Sequence, residues 1–355
     1  MKNKKARKQK KNIELRDGFS DGFKPTKALD LSKVDSVDGL VRQMALTAFG
    51  GRAVGEAADI LYETAKDKEC FVVLTLSGAL TVAKMGLVIC DMIENDLVDA
   101  VISTGAIMAH GFIESMGKAH FKFAKEMSDE ELYNAGYNRI YDTIELEKNL
   151  DDMELIVKRV LDGIDRDTVI SSNLIMKKLG EYLFKNTKGR GILKSAFQKN
   201  IPVFIPAFTD SELGLDVGLY NRSQKYQNKK PFAFDPFVDL EFFTHLIKKQ
   251  KHLGIFTVGG GVPRNWAQQV APYLDIISRR IGKEGGFVHY KYGIRICPEP
   301  AHWGGLSGCT YSEGVSWGKL VPKSEGGKWA EVYADATIAL PLIVKAVLER
   351  LGKKR

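Results

Sequence analysis

Cysteine is scarce in this chain. The four present (Cys70, Cys90, Cys297 and Cys309) form no CxxC pair, which speaks against a disulfide scaffold and against a zinc site built on thiolates. The six histidines contain no HExxH, so the sequence points to no metal. No apolar run approaches the roughly 18 residues of a membrane span. The charged N-terminus is followed by no apolar h-region, so a secretory leader is not expected and a cytoplasmic location is. Linkers rich in Pro, Gly or Ser are missing, as are internal repeats. One domain with an N-terminal extension is the simplest division.

What is present is ordinary for a folded protein. Hydrophobic residues make up 44% of the 355 and charged residues 27%, which excludes disorder as the main state. The net charge of +8 is concentrated at one end. Residues 1–12 (MKNKKARKQKKN) hold seven basic side chains and no acid, leaving about +1 for the rest. A block of this kind reads as a solvated, disordered tail. The body adds no basic aromatic stripe, so nucleic acid is not expected as a partner.

Residues 13–69 read as an irregular lead-in and a helix from about residue 40 to 66. From Cys70 onward, strand-like and helix-like segments alternate. Cys70–Leu76, Val98–Thr104, Ile201–Phe208, Gly254–Val258, Gly286–Ile296 and a segment from Glu331 read as strands. Helical patterns cover 79–95, 105–118, 151–162, 173–184, 241–250, 262–274 and 337–351, and residues 120–150 look polar and irregular. Continuous apolar strands alternating with helices predict an α/β fold: a parallel sheet with helices on both faces.

In such a sheet, ligands bind beyond the carboxyl ends of the strands. Ser77-Gly78, Thr104-Gly105, Thr209-Asp210 and Gly259-Gly260-Gly261 each follow a predicted strand. Small residues let a backbone approach a phosphate, and hydroxyls can bond it. None of these loops is a GxGxxG, and Gly314–Leu320 (GVSWGKL) is no P-loop. Residues 298–319 (PEPAHWGGLSGCTYSEGVSWGK) form a long irregular stretch rich in Gly and aromatics, a composition that suggests an ordered, functional loop. Lys319 stands near Trp317 and Glu313. A lysine against aromatic surface loses hydration, and its free amine is then a nucleophile toward imines and carbonyls. His110 and His302 are candidate proton carriers.

Ser312–Lys319 (SEGVSWGK) resembles the active-site lysine segment of deoxyhypusine synthases, E-A-V-S-W-G-K. Other matches follow in the family's order: Val98-Asp99 with Ser103-Thr104, Pro202–Phe204 with Thr209-Asp210 and Leu213-Gly214, Gly259–Val262, and Val332–Ala336 (VYADA). Together they span residues 70–345. The resemblance implies a Rossmann-like, NAD-binding body over 70–355 and a homotetramer with sites at subunit interfaces. It also implies oxidation of spermidine, release of 1,3-diaminopropane, and transfer of the aminobutyl group through a lysine imine. The acceptor would be a lysine of translation initiation factor 5A, or putrescine in homospermidine synthase relatives.

Carried over by position, Lys319 would be the nucleophile, with Glu313 and Trp317 lining the amine channel. Ser77, Thr104, Gly105, Asp210, Gly259, Gly260 and Asp335 would hold NAD. His110 and Asp216 are further substrate-binding candidates, with Glu212 and Glu299 as possible additional carboxylates. The chain departs from the family where two glutamates become Ala109-His110, a histidine becomes Asn265, and D-G-S-D becomes Trp303-Gly304-Gly305-Leu306. These departures keep a third reading open beside the two acceptors: a catalytically silent NAD-binding regulatory subunit.

Overall fold

A computed structural model describes residues 15–123, 127–282 and 286–353. The basic segment 1–12 lies outside the described residues. The strands are β1 (Cys70–Leu76), β2 (Ala100–Ser103), β3 (Phe121–Lys122), β4 (Tyr137–Ile140), β5 (Thr143–Leu146), β6 (Val203–Phe204), β7 (His252–Val258), β8 (Tyr292–Ile296) and β9 (Lys328–Val332). Six of them form one sheet in the order β6-β2-β1-β7-β8-β9, every neighbouring pair parallel. Counted along the chain, these six run 3-2-1-4-5-6, the strand order of a dinucleotide-binding Rossmann sheet.

The apolar continuity of β1 has a direct cause: both of its faces are covered. Val72, Leu74 and Leu76 point into one core, and Val73 into the other, the period of two that a strand imposes. The first core is closed by helices Phe49–Lys66, Gly105–Ser115, Ser172–Asn186 and Ala336–Arg350. The second lies under helices Pro236–Lys248 and Gly261–Ile281 and the short helix Tyr311–Ser316. The N-terminal helix Phe49–Lys66 thus belongs to the main core. It crosses the preceding helix Val37–Ala45 so closely that a Cβ on Gly55 would lie 2.4 Å from that of Ala45. No helix among the described residues is long and apolar enough to cross a membrane.

Several sequence expectations need correction. Residues 120–150 are not irregular: β3, β5 and β4 form a small antiparallel sheet in that order, with helix Asp129–Asn134 beside it. The pattern was hidden because β3 and β4 are mostly exposed and β5 buries a charged residue, Glu145. The predicted strand Ile201–Phe208 pairs only over Val203–Phe204, since Pro202 and Pro206 flank it and proline donates no ladder bond. The helix predicted from residue 79 starts at Gly86. Helices Ile192–Lys199 and Glu212–Tyr226 were not anticipated.

Candidate active site

The topology reverses between β1 and β7, and ligands in such sheets lie in the crevice at that point. Ser77 follows β1 and Gly259-Gly260 follow β7, so the two loops meet there. The Gly260 N–H donates to Ser77 Oγ at 2.8 Å. Gly259 has φ +82°, and a Cβ on it would stand 2.2 Å from Ser77 Oγ. A Cβ on Gly260 would stand 2.5 Å from Ser307 Cα. The long 298–319 loop therefore lies directly over the glycines.

The same approach recurs one strand away. Thr104 starts helix Gly105–Ser115 without capping it, and its Oγ1 is buried with no partner. A Cβ on Gly105 would sit 2.1 Å from Ser211 Oγ, which brings the loop after β2 against the loop after β6. Helix Gly261–Ile281 also starts without a side-chain cap, so its first N–H groups remain available to an anion. Unsubstituted glycines, an unpartnered hydroxyl and uncapped helix starts at a Rossmann switch point fit a dinucleotide. Asp210 is exposed beside this group. Asp335 caps helix Ala336–Arg350, accepting from Thr337 N at 2.7 Å.

Lys319 reaches this region from the return path between β8 and β9. Its carbonyl accepts from Tyr290 N just before β8, and its side chain turns to helix Gly261–Ile281. There Nζ donates to Asn265 Oδ1 at 3.1 Å and stands 5.9 Å from the Trp317 ring centroid. Burial, followed by the nearby Arg264 guanidinium, lowers the Lys319 pKa, with Cys309 and Glu313 opposing. Among the described residues, no carboxylate lies within ion-pairing distance of Nζ. The arrangement eases loss of the ammonium proton, and the free amine is the form that attacks an imine carbon. Glu313 is exposed on the short helix Tyr311–Ser316, one turn before Trp317.

Two buried arginines tie lysine and glycine loops together, and sequence reasoning passed over both. Arg295 Nη1 donates to Ser307 O at 2.7 Å. Arg264 Nη1 reaches the same carbonyl at 3.4 Å and stacks its guanidinium 5.0 Å from the Tyr311 ring. Tyr311 in turn donates to Ile294 O at 2.8 Å and takes Glu331 Oε1 at its backbone N–H, 2.6 Å away. Ser77, Gly260, Ser307, Arg264, Asn265 and Lys319 thus form one connected set. The available signal was Arg295 itself, a charge in the middle of the apolar strand YGIRI.

His110 and Asp216 lie apart from this set. The His110 ring is engaged with Glu145 and His120 under the small sheet. Asp216 sits on helix Glu212–Tyr226, its Oδ2 buried and unpartnered like Glu212 Oε2. Burial, with Glu154 and Glu212 nearby, pushes the Asp216 pKa up to about 7. A raised carboxyl pKa favours the folded state at low pH, and that advantage is lost as pH rises through 7. Asp216→Asn is expected to stabilise the protein by about 2 kcal/mol at pH 8, after discounting for partial exposure. The gain should vanish below about pH 4. Thermal midpoints measured across that range check it; a variant no more stable at pH 8 than the parent would mean the carboxylates are already compensated.

The family profile described as deoxyhypusine synthase matches residues 39–347. A Methanosarcina acetivorans protein named probable deoxyhypusine synthase 2 is 33% identical over 92% of this chain and 90% of its own length. A deoxyhypusine synthase-like protein of Chlorobaculum parvum is 34% identical over 93% and 92%. Among solved structures, an Entamoeba histolytica protein assigned as a deoxyhypusine synthase superposes with a TM-score of 0.57 at 16% identity, covering 90% of this chain and 96% of that one. AgrE in its complex with ornithine and NAD+ gives 0.50 at 11% identity, over 86% of this chain and 34% of that one. At such identities the structures bear on fold alone. Sequence match and lysine segment together settle the family: the chain belongs to the deoxyhypusine synthases, a family of transferases.

Proposed function

We propose that this protein cleaves spermidine and carries its aminobutyl group on Lys319 to an acceptor amine, the lysine of translation initiation factor 5A. The observation that supports this most directly is Lys319 itself: half-buried, with a lowered pKa, beside Trp317 and bonded to Asn265.

NAD would accept a hydride from the carbon beside the secondary amine of spermidine and return it to the final product imine. Ser77, Gly259 and Gly260 at the switch point, with Thr104 and Gly105 one strand away, would hold it, and Asp210 lies beside them; Asp335, beyond β9, is added by the resemblance alone. AgrE, which shares this fold, has been solved with NAD+ and ornithine.

The chain's own residues do the rest. The neutral Nζ of Lys319 adds to the oxidised carbon, 1,3-diaminopropane leaves with the nitrogen that carried the bond, and the aminobutyl group stays as an imine on Lys319. The acceptor amine then adds to the same carbon and returns Nζ to its free form. Asn265 Oδ1 orients Nζ through the 3.1 Å bond, and it does so without a titratable proton. The indole of Trp317 offers its face to a cationic methylene chain. Glu313, the carboxylate that acts on Lys319, would receive an ammonium end. Trp317 and Trp303 are exposed in the single chain, and in a homotetramer a neighbouring copy would cover them.

Incubation with NAD and spermidine, trapping with borohydride, and mass spectrometry test the reading. Released 1,3-diaminopropane together with an aminobutyl adduct on Lys319 is the expected result. Neither product, with NAD shown to be bound, would remove spermidine as donor. Conversion of putrescine in preference to factor 5A would assign the homospermidine-type acceptor.

A further inference from the structure

Three side chains that serve no part of this chemistry converge at the seam between the two sheets. His110 is on helix Gly105–Ser115, His120 lies just before β3, and Glu145 is on β5. His110 Nδ1 is 3.3 Å from Glu145 Oε2, and His120 Nε2 is 2.5 Å from the same oxygen. The three atoms lie within 4.8 Å of one another. The side chains of His120 and Glu145 are wholly buried, and that of His110 is 11% exposed. We propose that His110, His120 and Glu145 form a binding site for a divalent transition ion of the zinc class, which pins the small antiparallel sheet to the helix that starts at Thr104.

The donor set is the first reason. Two imidazoles and one carboxylate suit zinc and its neighbours, with a water as fourth ligand. The presentation of the carboxylate is the second. Glu145 Oε1 accepts from Leu146 N at 2.9 Å and from Asn149 Nδ2 at 2.7 Å, which leaves Oε2 facing the two rings. Outer bonds of this kind orient ligands in metal sites. Asn149 is itself held to Ala119 O at 3.3 Å, next to His120.

The third reason is an unmet bond. His120 Nε2 is buried with no hydrogen-bond partner. Its short approach to Glu145 is that of an ion pair. A ring nitrogen buried in front of a carboxylate and not bonded to it is costly for the protein alone. An ion bound to both, with the pair opening to roughly 3 Å, supplies a partner to each.

One group opposes the ion. Lys84 Nζ stands 2.9 Å from His120 Nδ1 and 2.6 Å from Glu114 Oε1. A metal on Nε2 leaves the ring hydrogen on Nδ1, so the ammonium must withdraw. Lys84 can do so, since its side chain is about half exposed. Lys84 therefore competes with the ion, and its removal should tighten binding.

The sequence concealed this site because positions 110, 120 and 145 follow no ligand spacing; folding of β5 against the helix brings them together. The proposal does not depend on the transferase reading, and its test reads no turnover. The full-length protein is stripped with a chelator and titrated with zinc alone and with cobalt alone. The expected result is one ion per chain by elemental analysis, visible cobalt absorption of the tetrahedral type, and a higher thermal midpoint with zinc. His110→Gln and His120→Gln should each weaken binding at least tenfold, and Lys84→Met should strengthen it roughly tenfold. No stoichiometric zinc on the parent protein would overturn the proposal. So would binding that both histidine variants retain in full, which would place the ion elsewhere. Should the histidine variants fail to fold by circular dichroism, the parent cobalt spectrum and the Lys84→Met affinity decide.

Discussion

Lys319→Ala is expected to abolish aminobutyl transfer, a loss of at least about 1,000-fold, with the fold unchanged. The residue has little structural work to lose. Its Nζ makes one bond, to Asn265 Oδ1, and burial disfavours its charge. A lysine whose pKa is lowered in the folded state binds fewer protons there than in the unfolded chain, so stability rises with pH between the lowered value and the ordinary one near 10.4. Removing the amine removes that slope. The variant should be as stable as the parent at neutral pH, or more so, and its thermal midpoint should no longer climb in alkali. Lys319→Arg keeps a cation but supplies no nucleophile, so it should be equally inactive. Single-turnover release of 1,3-diaminopropane, followed beside the borohydride adduct, measures the effect. Substantial transfer by either variant would move the covalent step to another residue.

Gly259→Ala should destroy the crevice at the switch point. At φ +82° an L side chain is strained, and here its Cβ would also overlap Ser77 Oγ at 2.2 Å. Ser77 has little room to move, because its hydroxyl accepts from Gly260 N–H and its backbone N–H donates to Val258 O. Strain plus overlap should cost about 2–4 kcal/mol of stability. The glycine loop would shift and NAD affinity fall by about 100-fold or more. Gly326 provides a control: its φ is +94°, but nothing stands within 4 Å of a Cβ there. Gly326→Ala should therefore carry the strain alone and leave NAD binding intact. Denaturant melts and a fluorescence titration with NAD separate the two effects. Equal losses in both variants would mean that backbone strain, not the approach to Ser77, is what matters at Gly259.

Asn265 shows how a departure in sequence acquires meaning in the structure. By the resemblance of the sequence, it takes the place of a family histidine. In the fold it is the hydrogen-bond partner of the candidate nucleophile. An amide can orient an amine but does not exchange a proton near neutral pH, so Asn265 is not the group that takes a proton from Nζ.

The sequence by itself determined the parts governed by local pattern. β1 was legible to the residue, because a strand buried on both faces has to be apolar throughout. The loops Ser77-Gly78, Thr104-Gly105 and Gly259–Gly261 were legible because a tight strand-to-helix turn demands small residues. Lys319 stood out as a candidate because its neighbours form an uninterrupted segment. Only the tertiary structure decided the rest. Strand order, and hence the meeting of Ser77 with Gly260, depends on pairing between residues more than 180 positions apart. Arg264 and Arg295 look like stray charges until Ser307 is folded over them. The small sheet escaped notice because its strands are short and exposed, and because Glu145, which reads as a surface residue, is buried where two histidines approach it. Periodicity records which face of an element is dry; it carries no information about which distant polar groups will share that dry space.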